Sequence, residues 1–202
     1  MVHGKMRCER FLSIFLAGIF SLALAACEAT VPSQIFPELT YHHLGKINLD
    51  VGSIKTLSAY KSPITSPNVD HLFPTSPLKA LRSWSTDRLA ATGSDDIARF
   101  TILDASVRET ALEKQKGIKG VFTKDQSERY DASLEATLEI IDAKGKQRGF
   151  ANAKVSRSIS VREDATINDR EQAWFTLTEA LMRDFNSELE KNISRYLANW
   201  VR

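Results

Sequence analysis

The sequence predicts an α+β domain: a small, mostly antiparallel sheet in the order β-α-β-β-β-α, covered by one short helix and one long C-terminal amphipathic helix. Three observations carry that prediction. Over residues 130–140, Tyr130, Ala132, Leu134, Ala136, Leu138 and Ile140 alternate with Asp131, Ser133, Glu135, Thr137 and Glu139, the period-two pattern of a strand with one buried and one wet face. Further on, Leu177, Leu181, Phe185, Leu189, Ile193 and Leu197 recur every four residues, as on a helix lying along a core. Upstream of both, Ser76-Pro77 has the form of a helix start, an N-cap serine followed by proline at the first helical position, with strand-like segments on either side.

At the N-terminus, Lys5, Arg7 and Arg10 precede an apolar run over residues 11–26. The run is shorter than the roughly 20 residues a bilayer span needs, so it reads as a secretory signal peptide rather than an anchor helix. Met6 is an alternative start, because Arg7 and Arg10 still lie ahead of the run. The run closes on Leu24-Ala25-Ala26-Cys27, which resembles the lipobox of bacterial lipoproteins. The resemblance implies removal of residues 1–26, a diacylglyceryl group on the Cys27 thiol and acylation of the new amine. Two acyl chains anchor stably where one binds only marginally. Members with Asp after the cysteine tend to stay in the inner membrane. Glu28 therefore implies a lipid-anchored protein on the outer membrane, facing the periplasm.

Processing changes the charge balance. The chain has 27 basic and 25 acidic residues, and loss of Lys5, Arg7, Arg10 and Glu9 leaves 24 of each. A neutral chain argues against a nucleic-acid partner and against polybasic docking on anionic lipid. Cys8 leaves with the signal, and a lipidated Cys27 forms no disulfide, so burial alone holds the domain together.

Residues 27–46 read as the lipidated cysteine and its tether, with Pro32, Pro37 and Gly45 and no regular period. Ile35, Phe36, Leu39, Tyr41 and Leu44 are apolar enough to fold back on the domain. The adjacent His42 and His43 hold a metal only with ligands from elsewhere, and no Cys, or His at helical spacing, supplies them. No metal and no cofactor are expected.

A single domain is predicted over residues 47–202. Ile47, Leu49 and Val51 alternate as a strand, which Gly52-Ser53 shifts in phase so that Ile54 continues it. Residues 61–77 hold Pro63, Pro67, Pro74 and Pro77 and form a long loop, in which Leu72 and Phe73 are candidate partner contacts. The short helix carries Leu78, Leu81, Trp84 or Ser85, and Leu89 on one face and stops at Gly93. A strand over 98–110 follows. Its apolar phase switches between Ile102 and Leu103, so it is either covered on both faces or bulged.

The segment 112–129 is locally basic and lacks the glycine and lysine spacing of a phosphate-binding loop. Val121 and Phe122, set between its lysines, are further contact candidates. After the 130–140 strand, Asp142-Ala143-Lys144-Gly145 makes a turn, and residues 150–161 return as the second strand of a hairpin. Arg157 falls on its inward phase, which requires a sheet edge or a carboxylate partner. The last helix is read over 169–200, capped by Asn168 with Glu171 three residues on. Its length exceeds what a small sheet covers, so its end overhangs and presents Tyr196 and Trp200 to a partner or a membrane surface.

No catalytic residues are expected. The sequence has no Gly-x-Ser-x-Gly elbow and no His-Glu-x-x-His, and the adjacent Asp70 and His71 have diverging side chains. The element order behind a lipobox, closed by a Leu-rich helix, resembles the periplasmic auxiliary lipoproteins of ABC-type lipid transporters. The stretches His71-Leu72-Phe73-Pro74 and Asp125-Gln126-Ser127-Glu128-Arg129-Tyr130 resemble those of uncharacterised alphaproteobacterial lipoproteins. The first resemblance implies a non-enzymatic accessory of an envelope protein complex. The alternative is a domain that binds a small ligand or peptidoglycan in a groove between sheet and helix.

Overall fold

A computed structural model describes residues 34–112 and 126–202, and residues 35–202 form a compact unit. Cys27, Val121 and Phe122 lie outside the described residues. Six strands and two α-helices are present among those described: β1 (Ile47–Leu49), β2 (Ser53–Ser58), α1 (Pro77–Arg88), β3 (Leu89–Ala91), β4 (Ile97–Ala111), β5 (Gln126–Ile141), β6 (Gln147–Arg162) and α2 (Ile167–Tyr196). The main sheet runs β2-β4-β5-β6, parallel at its first pair and antiparallel along its two long ladders. Both helices pack on one face of it. The fold is the α+β arrangement that the pattern predicts.

The alternation in β5 becomes burial: Tyr130, Ala132, Leu134, Ala136, Leu138 and Ile140 are all buried, and the residues between them are half-buried. In β4 the register with β5 shifts between Ile102 and Asp104. This bulge keeps Ala98, Phe100 and Ile102 on the same covered face as Ala105 and Val107 and turns Leu103 outward. Of the two readings of β4, the bulge holds. Arg157, on the inward phase of β6, pairs with Asp184 of α2, its Nη2 donating to Oδ1 at 3.1 Å. The carboxylate holds the guanidinium charged and is itself pulled below the usual carboxylate range, first by that hydrogen bond.

Four boundaries differ from the sequence pattern, each because backbone groups find better partners. The segment 47–58 is two strands in two sheets: β1 pairs in parallel with β3 in a separate two-stranded sheet, and β2 joins β4. At the break, residues 49–52 and 92–96 run backbone against backbone, with Thr92 N–H donating to Leu49 O at 2.9 Å and Gly93 N–H to Val51 O at 3.1 Å. Helix α1 therefore ends at Arg88 rather than at Gly93, since 89–91 serve as β3. Helix α2 starts from Thr166, two residues before the expected Asn168. Thr166 Oγ1 accepts from Asp169 N–H at 3.1 Å while the Asp169 carboxylate accepts from Thr166 N–H at 2.9 Å, a reciprocal cap.

The fourth difference is the C-terminus. Helix α2 stops at Tyr196, and the tail docks along β1 instead of overhanging. Asp50 N–H donates to Trp200 O at 2.7 Å, Arg202 N–H donates to Asn48 O at 3.0 Å, and Arg202 Nη2 meets Asp50 Oδ1 at 2.5 Å.

The close approach at the break explains Gly93. A Cβ there would lie 2.7 Å from both Asp50 C and Val51 N, which are backbone atoms with no freedom to yield. Gly93→Ala should lower stability by about 1–3 kcal/mol, read as a lower urea midpoint with an unchanged slope. A wild-type midpoint would show that the two segments separate easily.

Candidate functional site

The described part of the tether does not hang free. Phe36 rests on Phe175 of α2 with ring centroids 5.1 Å apart, Glu38 pairs with Lys79 of α1 at 3.3 Å, and Tyr41 is buried. Residues 42–44 form a single 3-10 turn held by the last two residues of α1. Asp87 Oδ2 accepts Tyr41 N–H at 2.8 Å, and Asp87 Oδ1 lies 3.2 Å from His42 Nε2. Arg88, buried, donates through Nη1 to Leu44 O at 2.5 Å and to Gly45 O, pairs through Nη2 with Glu190, and reaches Asn186 Oδ1 through Nε at 3.3 Å. Trp84 Nε1 donates to the same Asn186 Oδ1 at 2.8 Å.

One guanidinium thus joins the tether turn, the end of α1 and the middle of α2. Burial pushes the Arg88 pKa down from its ordinary value, and Glu190 and the two carbonyls compensate the charge. Sequence reading missed this pair, although a signal exists. Arg88 follows Trp84 by four residues and Leu81 by seven, which places it on the buried stripe of α1.

Beside the turn opens a pocket of about 340 Å³, whose lining includes Leu39, Tyr41, His43, Met182 and Arg183. Tyr41 borders it with a buried hydroxyl that finds no hydrogen-bond partner among the described residues. Burial, then Asp87 and Glu179, push that hydroxyl's pKa up, so it stays a neutral donor. Its lining mixes apolar side chains with polar ones such as Glu179 and Asn186.

At the end of the sheet where β4 stops and β5 begins, Glu128 pairs with Arg170 of α2 beside Glu109. Arg170 Nη2 lies 3.1 Å from Glu128, which also accepts Tyr130 Oη–H at 2.6 Å. Burial and then Glu128 push the Glu109 pKa up, against the pull of Arg170. Because the folded-state pKa is raised, the effect on stability is fully present below the ordinary carboxylate value and is lost as pH rises through the folded value. Glu109→Gln should therefore stabilise the protein by roughly 0.2–1 kcal/mol near neutrality and have little effect in acid. Urea midpoints at the two pH values measure this, and an equal gain at both would assign it to something other than charge.

The remaining predicted contact residues scatter. Leu72 is exposed at the end of a 3-10 turn, whereas Phe73 is buried and stacks on Trp174 with ring centroids 4.9 Å apart, which removes it from any contact surface. Its apolar ring completes an aromatic cluster with Tyr130, and that is why it turns inward. Tyr196 is exposed. Trp200 is half-buried, lying over Gly149 of β6, where an added Cβ would come 3.0 Å from its ring. Asp70 is buried while His71 is exposed. Among the described residues, no three His, Cys, Asp or Glu converge, and no helix is long and apolar enough to cross a membrane.

No family model matches the chain, and no curated protein matches it. Among solved structures, a minor lipoprotein from Acinetobacter baumannii is similar over 73% of this chain and 93% of its own, at 17% identity and a TM-score of 0.38. Geometry shared at that level does not carry function from one chain to the other.

Proposed function

We propose that this chain is an envelope lipoprotein acylated at Cys27, whose domain works without catalysis as an accessory or binding subunit of a membrane protein complex. The observation that carries the reading is Leu24-Ala25-Ala26-Cys27 at the close of an apolar run too short to span a bilayer. Glu28 favours the outer membrane, and the layout read from the sequence, a Leu-rich closing helix behind a lipobox, resembles that of auxiliary lipoproteins of ABC-type lipid transporters.

Cys27→Ser tests the anchor. The variant should take up no labelled palmitate. Palmitate uptake that persists after this change would sink the reading. Affinity purification from envelope fractions tests the accessory role, which requires transporter subunits to co-purify.

The pocket at Tyr41 favours a second reading, a lipoprotein that binds a small ligand or a peptidoglycan fragment. Retention on peptidoglycan, lost on Arg183→Ala and unaccompanied by any co-purifying protein, would favour it.

A further inference from the structure

We infer that the domain lies against the bilayer with its helical side, leaving the outer face of the sheet turned away from the membrane. The inference rests on acylation of Cys27. The chain enters the domain on the helical side, where Phe36 sits on Phe175 of α2, Glu38 on Lys79 of α1, and Tyr41 N–H on Asp87 at the end of α1. Just before these contacts, Ile35 is 92% exposed, a large apolar side chain standing in the open where the chain arrives.

Length favours one surface for the anchor. At about 3.5 Å per residue, the chain from Cys27 to Ile35 stretches no farther than roughly 28 Å. A helix is about 10–12 Å across, and a sheet layer with its side chains adds about 10 Å. Bringing the outer face of the sheet onto the bilayer would take the tether some 20 Å past both layers. The bilayer plane continues past the edge of the sheet, so this path uses about 20 of the roughly 28 Å and leaves the tether nearly stretched. The helical side needs almost none of that length, and Ile35 gains by entering the interface. Charge selects the surface only weakly, since among exposed Lys79, Arg82, Arg183, Glu38 and Glu179 the excess is a single positive charge, and the test can use neutral lipid.

The test uses the acylated full chain in phosphatidylcholine vesicles containing nitroxide-headgroup lipid. Cysteines are introduced one at a time at exposed sites, Arg82→Cys and Thr176→Cys on the helices, Lys154→Cys and Ser156→Cys on the sheet. Each is labelled with a maleimide fluorophore, to which the thioether of an acylated Cys27 is inert. Fluorescence should be lost at the helical positions and kept at the sheet positions, and two sites per face guard against a variant that does not fold. Equal quenching on both faces, or stronger quenching at Lys154 and Ser156, in protein whose N-terminal peptide carries the acyl mass, would overturn the orientation alone. A peptide without that mass would overturn the lipoprotein reading and the orientation with it.

Discussion

Replacing Arg88 by alanine should unfasten the tether turn and lower stability by about 3 kcal/mol. The figure follows from hydrogen bonds made by a charged donor, worth about 1.5–3 kcal/mol each, less the relief of no longer burying a cation. Arg88 gives two such bonds to the carbonyls of Leu44 and Gly45 and a third to Asn186, and its loss leaves the Glu190 carboxylate without its cation. Arg88→Met separates the two consequences. Methionine fills the volume but leaves Glu190 without its cation just as alanine does, so it should recover only the packing part of the loss. The 42–45 backbone would still lose its donors. The alanine variant should show a lower urea midpoint, while both variants should exchange the amide protons of residues 41–45 faster than wild type. If Arg88→Met left exchange there unchanged, Asp87 rather than Arg88 would be the fastener.

How much of this was legible in the sequence depends on what each element uses to define itself. Strands β4, β5 and β6 and the stripe of α2 are set by burial, which periodicity reports directly, so Tyr130 through Ile140 and Leu177 through Leu197 fall where the pattern puts them. The break at Gly52, the turn of 89–91 into a strand and the docking of Val201 beside Leu49 depend on backbone partners far away in the chain, and no local period encodes them. The cap of α2 was ambiguous for a chemical reason. Thr166 with Asp169 and Asn168 with Glu171 both have cap spacing, and the hydroxyl of Thr166, able to donate to Asp169 as well as accept from it, makes the tighter pair.

The candidate site was least legible. Periodicity marks apolar faces, so a buried arginine on such a face looks like an interruption, and the tether turn that Arg88 holds looks like linker. Phe73 shows the opposite error, because proline-rich surroundings resemble an exposed loop even when one ring in them completes a core.

Trp84→Ala should be the most destabilising single substitution among those considered, at about 3–5 kcal/mol. The indole is wholly buried, with centroids 5.5 Å from Phe100 of β4 and 5.6 Å from Phe185 of α2, so it is where α1, α2 and the sheet meet. Its removal empties the junction of all three and takes from Asn186 the 2.8 Å bond it accepts from Nε1. Asn186 Oδ1 then keeps only the longer bond from Arg88, and Asn186 Nδ2 donates to Glu190, the carboxylate that Arg88 holds. Core packing and the tether fastener thus share one amide. Trp84→Ala and Arg88→Ala should therefore not add. The double variant should differ from the sum of the singles by roughly 0.5–3 kcal/mol, the range for side chains that share a network. Additivity within about 0.3–0.5 kcal/mol, the behaviour of independent sites, would show that the tether turn and the core are stabilised separately and that Asn186 transmits nothing between them.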